Sequence, residues 1–393
     1  MAVAETAPGP SGQEHPEGEE KRVSPLELFF DLVFVFALTQ VTALMADKPT
    51  WTGLGEGMLV LAALWWAWGA YSWLTNYIAA DEGKERLLMF AVMGAFLISA
   101  LTAPQAFGSE SLAFALAYAT ARWLHIFIFA EANDDVDAGM AIRRLARTAL
   151  PGPALLIVAA FLDPPFQAAV WVVALAIDFA GPYVFGVRGF QIAAGHFAER
   201  FSLIVIIALG ESIVAIGAGL EGDIDTGVVV AALLGLVIAC SQWWAYFDVV
   251  AVAAERRFRR AQGDELVRLA RDSYSYLHLP MIAGIILIAL AIKKTVAHVD
   301  EPLKIVPAVA LFGGIALYYA GHIGFRLRNM GSVNRQRLVA ALVSLALIPL
   351  AVEVDALVAL ALAAAISAAL VSYEALRFAE TRRRMRSAAH QTP

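Results

Sequence analysis

The stretch E-L-F-F-D-L-V-F-V-F-A-L-T-Q, residues 27–40, decides the fold class. It is apolar enough to cross lipid, yet it carries Glu27 and Asp31. Four residues apart, the two carboxylates share one face of a helix. The rest of the chain is equally apolar: 60% hydrophobic and 16% charged, with a mean hydropathy of +0.67. A soluble domain has about 45–50% and about 25%. The fold expected is all-α and polytopic, with the lipid bilayer as its first partner. The single Cys240 excludes an intrachain disulfide. Residues 1–24 are rich in Pro, Gly and Glu and have no apolar core. They read as a disordered tail and not as a secretory signal, so the first span is expected to act as the insertion signal.

A hydrocarbon core about 30 Å thick needs about 20 apolar residues as helix. About twelve runs meet that need: 25–46, 53–80, 86–106, 110–131, 145–163, 167–186, 198–220, 226–254, 273–296, 304–327, 335–352 and 355–378. Of the 29 Lys and Arg residues, 24 lie at the N-terminus, the even-numbered connections and the C-terminus. Lys48, Lys293, Lys294 and Lys304 lie on the other side, and Arg122 alone is read as inside a span. By the positive-inside rule, the expectation is a bacterial inner-membrane protein with both termini cytoplasmic. The basic tail, 379–393, reads as a topology determinant near anionic lipid, with no nucleic-acid partner.

The chain also matches itself. F-F-D-L-V-F-V-F-A-L-T-Q, 29–40, lies over R-F-S-L-I-V-I-I-A-L-G-E, 200–211, without a gap. W-W-A-W, 65–68, answers W-W-A-Y, 243–246, and His125-Ile126 answers His322-Ile323 in the same order. This predicts two parallel six-helix repeats, 25–190 and 191–378. An even number of spans per unit gives both the same orientation, and sites in such folds tend to lie at the repeat interface on interrupted helices. Gly210, Gly217 and Gly219 around Glu211 mark the seventh span as such a helix.

Charged side chains in the hydrocarbon cost about 2.5–3.5 kcal/mol on insertion scales and normally face protein or water. Glu211, followed by Ser212, lies about 20 Å into the seventh span by the helical rise. Its repeat mate is the neutral Gln40. A carboxylate at that depth either carries a proton, meets a cation, or is part of a structural pair. Arg122 and His125, three apart, share a face of the fourth span, and Asp178 is the natural partner for the guanidinium. His125 and His322 hold matching places, which suits either proton handling or helix bridging. Glu27 and Asp31 near the start of the first span fit a path mouth, or a cap and orientation device tied to a basic residue. No phosphate loop, Cys/His metal set, nucleophile elbow or haem motif is present in the sequence, so no cofactor, no metal and no enzymatic activity are expected.

The two repeated stretches, E-L-F-F-D-L-V-F-V-F-A-L-T-Q and E-R-F-S-L-I-V-I-I-A-L-G-E-S-I-V-A-I-G, resemble those of the bacterial low-temperature-requirement A family. The resemblance runs from about residue 22 to about 380. It implies a multi-pass membrane protein linked to growth in the cold and names no substrate. A second resemblance, of F-F-D-L-V-F-V-F-A-L-T to the F-S-D motif of an endolysosomal potassium channel family, implies pore-lining first helices. Here Phe29-Phe30 replaces the F-S pair, and the second half reads R-F-S-L without the acid.

Three functions are therefore expected, in order. The first is a secondary transporter of a small solute or ion, proton-coupled through Glu211. The second is a cation channel with spans one and seven lining a pore in a homodimer. The third is a non-transporting stress or assembly factor.

Overall fold

The computed structural model describes residues 21–78, 80–132, 136–187, 190, 192–220, 222–248 and 250–379. The basic tail from residue 380 onward, Arg188 and all but the last four residues of the N-terminal tail lie outside the described residues. So do 133–135 of the acidic run E-A-N-D-D-V-D. The fold is all-α: α1 (Pro25–Asp47), α2 (Trp51–Leu74), α3 (Gly83–Thr102), α4 (Ser111–Glu131), α5 (Val136–Ala149), α6 (Pro151–Ala159), α7 (Phe166–Val184) and α8 (Ala194–Ala218). There follow α9 (Thr226–Phe247), α10 (Val250–Arg260), α11 (Gly263–Leu269), a π-helical stretch Ala270–Tyr276, α12 (His278–Ala297), α13 (Ile305–Met330), α14 (Arg335–Ala346), α15 (Ile348–Ala351) and α16 (Ala356–Arg377).

Ten helical segments among the described residues are long and apolar enough to cross a membrane. The other two expected runs, 145–163 and 335–352, are each assembled from shorter helices. α5 gives way to α6 at Leu150-Pro151, and α14 to α15 at Leu347-Ile348-Pro349. Proline lacks the N–H that a helix interior needs, and its ring clashes with the preceding turn. The long connections expected at 132–144 and 255–272 are largely helical, as α5, α10, α11 and the π stretch. The seventh span is not interrupted. α8 runs unbroken through Gly210 and begins four residues earlier than expected. Where neighbouring turns keep their hydrogen bonds, isolated glycines cost a helix about 1 kcal/mol each without breaking it.

Local chemistry starts the helices. Ser24 and Glu27 form a reciprocal capping box ahead of α1, with Pro25 at its first position. Thr50, Asp225 and Asn334 accept backbone N–H groups at the starts of α2, α9 and α14. Gly331, with φ of +65°, closes α13 in the left-handed conformation.

α12 is apolar all round, and every residue from Met281 to Ile292 is buried, as a helix enclosed by others must be. It crosses α13 with backbones nearly touching. A Cβ placed on Gly284 would lie 2.6 Å from the Gly314 carbonyl oxygen. Small residues permit that approach where lipid supplies no hydrophobic drive between helices. α1 packs against α2, α3, α8 and α12 and so sits at the junction of the two halves of the chain. Large apolar side chains, among them Leu32, Leu87, Val339 and Leu342, stand exposed on the helix flanks, where lipid would cover them.

One end of the bundle gathers the start of α1, the end of α2 and the start of α8. Lys21 Nζ donates to the Thr75 and Ile78 carbonyls, and the Val23 amide donates to Glu199 at 3.3 Å. Lys84–Glu131 and Arg328–Asp272 pairs close the same end. It is called the basic end below.

Candidate functional site

Near the basic end, α1 and α8 meet through two acid–base pairs. Glu27 lies 3.0 Å from His196 Nε2, and Asp31 Oδ1 lies 3.0 Å from Arg200 Nη2. Both helices use a spacing of four, so two acids on one stripe face two bases on the other. Arg200 Nη1 also approaches Glu27 Oε1 at 3.9 Å. Trp68 Nε1 donates to Asp31 Oδ1 at 2.9 Å, and the Arg200 guanidinium stands 5.7 Å from the centre of a Trp68 ring. None of the four charged or ionisable side chains is more than 2% exposed. At that burial each ion gives up several kcal/mol of hydration, which only close pairing and added hydrogen bonds offset. Arg200 was counted with the basic residues of a connection, although it stands at the edge of the expected run 198–220. The structure places Arg200 within α8 and fully buried, because α8 starts before it.

Farther along the same two helices, Thr39 Oγ1 donates to Glu211 Oε2 at 2.6 Å, with Thr42 alongside and Lys293 of α12 facing the carboxylate. Glu211 is 2% exposed. It lies about 25 Å from the start of α8 by the helical rise, beyond the helix centre and toward the end opposite the basic one. Gln40 is half-buried one residue after Thr39, so the hydroxyl and not the repeat-mate amide serves Glu211. Ser212 is buried, and its hydroxyl has no partner among the described residues.

A third cluster lies between α4, α7 and the α5–α6 break. Arg122 Nη2 donates to Asp178 Oδ1 at 3.2 Å, with both side chains at most 2% exposed. Asp178 rests against Gly152, where a Cβ would lie 2.9 Å from the carboxylate carbon. The broken helix therefore makes room for the pair. One turn along α4, His125 is buried edge-on to Tyr71, with ring centres 5.4 Å apart. The His125 ring meets the Ala70 carbonyl, while Arg122 Nε and Nη1 have no partner among the described residues. A cavity of about 80 Å³ adjoins them. Trp65, Trp66 and Trp73 wall it. Trp65 and Trp73 donate to the Ser275 carbonyl and hydroxyl at 2.8 and 2.9 Å, which fixes them to the π stretch.

The other half of the chain holds a related cluster. Arg337 on α14 binds Glu374 on α16 through Nε and Nη2, at 3.0 and 2.9 Å, and donates to the Ala245 carbonyl at 2.8 Å. His322 on α13 is buried with both ring nitrogens unpartnered among the described residues, edge-on to Tyr318 at 4.5 Å. A cavity of about 260 Å³ lies between α9, α13, α14 and α16, lined by Trp244, Arg326, Asn329, Arg337 and Glu374.

The structure thus joins Glu27 and Asp31 to α8, Arg122 to Asp178, and Glu211 to Thr39. It does not join the Arg122–His125 cluster to Glu211. Along the helix axes alone the two differ by about 12 Å. His125 and His322 each stay within their own half, among different rings. The sequence reading missed His196, Trp68, Thr39 and the buried Arg337–Glu374 pair. The signal for His196 and Arg200 was present: their spacing repeats that of Glu27 and Asp31 on the helix laid over it. No group of three or more His, Cys, Asp or Glu among the described residues is placed to hold a metal ion.

Comparison with known proteins places the chain among relatives. The family described as bacterial low temperature requirement A protein (LtrA) matches residues 22–372. A protein of Rhizobium meliloti (strain 1021), described as uncharacterized, is 30% identical over 316 residues, 77% of this chain and 76% of its own length. No solved structure matches the chain.

Proposed function

This chain belongs to the bacterial low temperature requirement A family, and on that footing we propose that it is a secondary transporter of a small solute or ion, coupled to protons through Glu211. The observation that carries the reading is the polar track on α1 and α8. Paired ionisable groups lie at the basic end, and Thr39, Thr42 and Glu211 lie farther along the same two helices. Buried ionisable groups in a membrane protein are costly to keep and usually mark a path. The two helices belong to different halves of the chain, as paths between parallel repeats do. The proline breaks of α5–α6 and α14–α15, at matching places in the two halves, support the repeat reading. The sorted basic residues support an inner-membrane placement with both termini cytoplasmic.

Liposomes holding the purified protein and a pH dye test the coupling. A solute gradient should drive proton movement in the wild type and not in Glu211→Gln; unchanged coupling in that variant would remove Glu211 from the mechanism. The second reading is a cation channel with α1 and α8 lining the pore of a homodimer. Large ohmic currents in a planar bilayer, insensitive to a proton gradient, would favour it. Neither proton movement nor current would leave the stress or assembly factor.

A further inference from the structure

We infer that the cavity between α9, α13, α14 and α16 at the basic end holds the phosphoethanolamine head of a membrane phospholipid, with the phosphate on Arg326 and the ammonium on Asn329. Occupancy of this site does not depend on transport.

An unfilled acceptor sets the ammonium end. Asn329 lines the cavity and is 7% exposed. Its Nδ2 donates to Ser273 Oγ at 3.0 Å and to the Phe325 carbonyl at 2.8 Å. A carbonyl can only accept, so the orientation of the amide is fixed. Oδ1 is left buried, without a partner among the described residues. An acceptor at that depth carries its full desolvation cost until an N–H or O–H meets it.

Arg326 sets the phosphate end. It lies three residues earlier on α13 and shares a face with Asn329. Its Nε donates to Ser332 Oγ at 3.0 Å, and neither Nη bonds a described residue. Nη1 and Nη2 form one edge of the guanidinium, which can grip two phosphate oxygens together. The two residues stand about 4.5 Å apart along the helix axis. A two-carbon link between phosphate and ammonium spans that step.

Charge and donors select among lipid heads. Two guanidinium groups, Arg326 and Arg337, and two carboxylates, Asp248 and Glu374, line the cavity. Arg337 and Glu374 already hold each other. A lining that is neutral as a whole favours a zwitterion over a net anion, because uncompensated buried charge is costly. The unfilled acceptor then separates the two common zwitterions. An ethanolamine ammonium brings N–H donors, and a quaternary choline brings none. The space is about 260 Å³. A buried cavity of ~150 Å³ admits benzene, so a head of about eight heavy atoms fits. Trp244, Met330 and Phe378 line the cavity and are exposed, so its rim is apolar where acyl chains would begin.

The test uses the full chain, purified in detergent and stripped of lipid. It is titrated with dioleoyl phosphatidylethanolamine, and with the phosphatidylcholine and phosphatidylglycerol of the same acyl chains. Native mass spectrometry counts the lipid retained, and scanning fluorimetry reads the stabilisation that a ligand of the folded state gives. Phosphatidylethanolamine should be retained at one per chain and should raise the unfolding temperature saturably. The other two lipids should bind at least about tenfold more weakly. Arg326 is only partly buried, so Arg326→Gln removes the fork without emptying the core. It should weaken retention about tenfold. Arg335→Gln, which changes an exposed charge outside the cavity, should bind like the wild type. Equal retention of the three lipids by folded wild type would overturn the site. So would wild-type retention in Arg326→Gln, or an equal loss in Arg335→Gln. Soluble O-phosphoethanolamine checks the source and should displace the lipid at about millimolar concentration. Its binding to protein that retains no phosphatidylethanolamine would overturn the lipid assignment.

Discussion

Asp31 and Arg200 meet at 3.0 Å across the α1–α8 interface, 169 positions apart in the chain and both at 0% exposure. The pair ties the start of one half of the protein to the start of the other. Trp68 braces it from α2, donating to the Asp31 oxygen that Arg200 also holds. An ion pair at that depth specifies register. Slipping α8 by one residue along α1 would strand both charges.

Breaking this pair from the two sides should have unequal effects. Arg200→Ala leaves a buried carboxylate with only the Trp68 indole and should cost about 3–5 kcal/mol. Asp31→Asn keeps an oxygen for Trp68 and should cost less. Replacing both partners together, as Asp31→Leu with Arg200→Met, should recover much of the Arg200→Ala loss, since an apolar pair of similar volume has no ions to desolvate. Scanning fluorimetry of tryptophan emission in detergent measures all three. Equal losses in the single and double variants would show that the pair contributes nothing through its charges.

The α12–α13 crossing should tolerate no side chain at Gly284. A Cβ there would sit 2.6 Å from the Gly314 carbonyl oxygen and 2.7 Å from the Tyr318 amide nitrogen. Both are backbone atoms of a buried helix and cannot swing aside. Gly284→Val should therefore separate the two helices, with a lowered unfolding temperature and poor recovery of folded protein. Gly313→Ala, one position away from the contact with only Val309 nearby at 3.6 Å, is the control and should be close to neutral.

Much of this fold is legible in the sequence because lipid simplifies the problem. An apolar run of sufficient length has few alternatives to a spanning helix, and α1, α4, α8, α13 and α16 lie close to their expected ranges. The need of Arg122 for a partner is equally legible, since a guanidinium does not lose its charge, and Asp178 fills it. What the sequence conceals is which basic residues are buried. Arg200 and Arg337 stand two residues inside the starts of their expected runs, where basic residues usually face water, yet α8 begins a turn earlier and α14 packs deeply enough to bury them. The glycines around Glu211 mislead in the opposite direction. They leave α8 whole, while Pro151 and Pro349 break helices elsewhere. Depth is concealed too. Glu211 was placed about 20 Å into its span, and the earlier start of α8 puts it about 25 Å along, nearer the end opposite Asp31.

The Arg337–Glu374 pair should prove structural and nothing more. Arg337→Gln would leave Glu374 to Asn334 alone and the Ala245 carbonyl without its donor. A loss of about 3–5 kcal/mol is expected, as for other broken buried pairs. Scanning fluorimetry in detergent measures that loss, and proton movement in liposomes per folded protein should stay at the wild-type rate; a lower rate would give the pair a part in the transport cycle.

Thr39 offers the finest probe of Glu211. Its hydroxyl donates at 2.6 Å to Glu211 Oε2, a short bond of the kind formed with a charged acceptor. Thr39→Val keeps the side-chain shape and removes the donor. Hydrogen bonds to charged groups contribute about 1.5–3 kcal/mol, so the balance between the charged and neutral carboxylate should shift by that order. If proton release from Glu211 limits turnover, solute-driven proton movement in liposomes should change about tenfold or more in Thr39→Val. Thr39→Ser restores the hydroxyl and should restore the wild-type rate. A structural role alone would lower stability in Thr39→Val without changing the ratio of protons to solute moved per cycle. Measuring that ratio beside the unfolding temperature separates the two roles, and equal coupling in all three proteins would leave Thr39 as packing between α1 and α8.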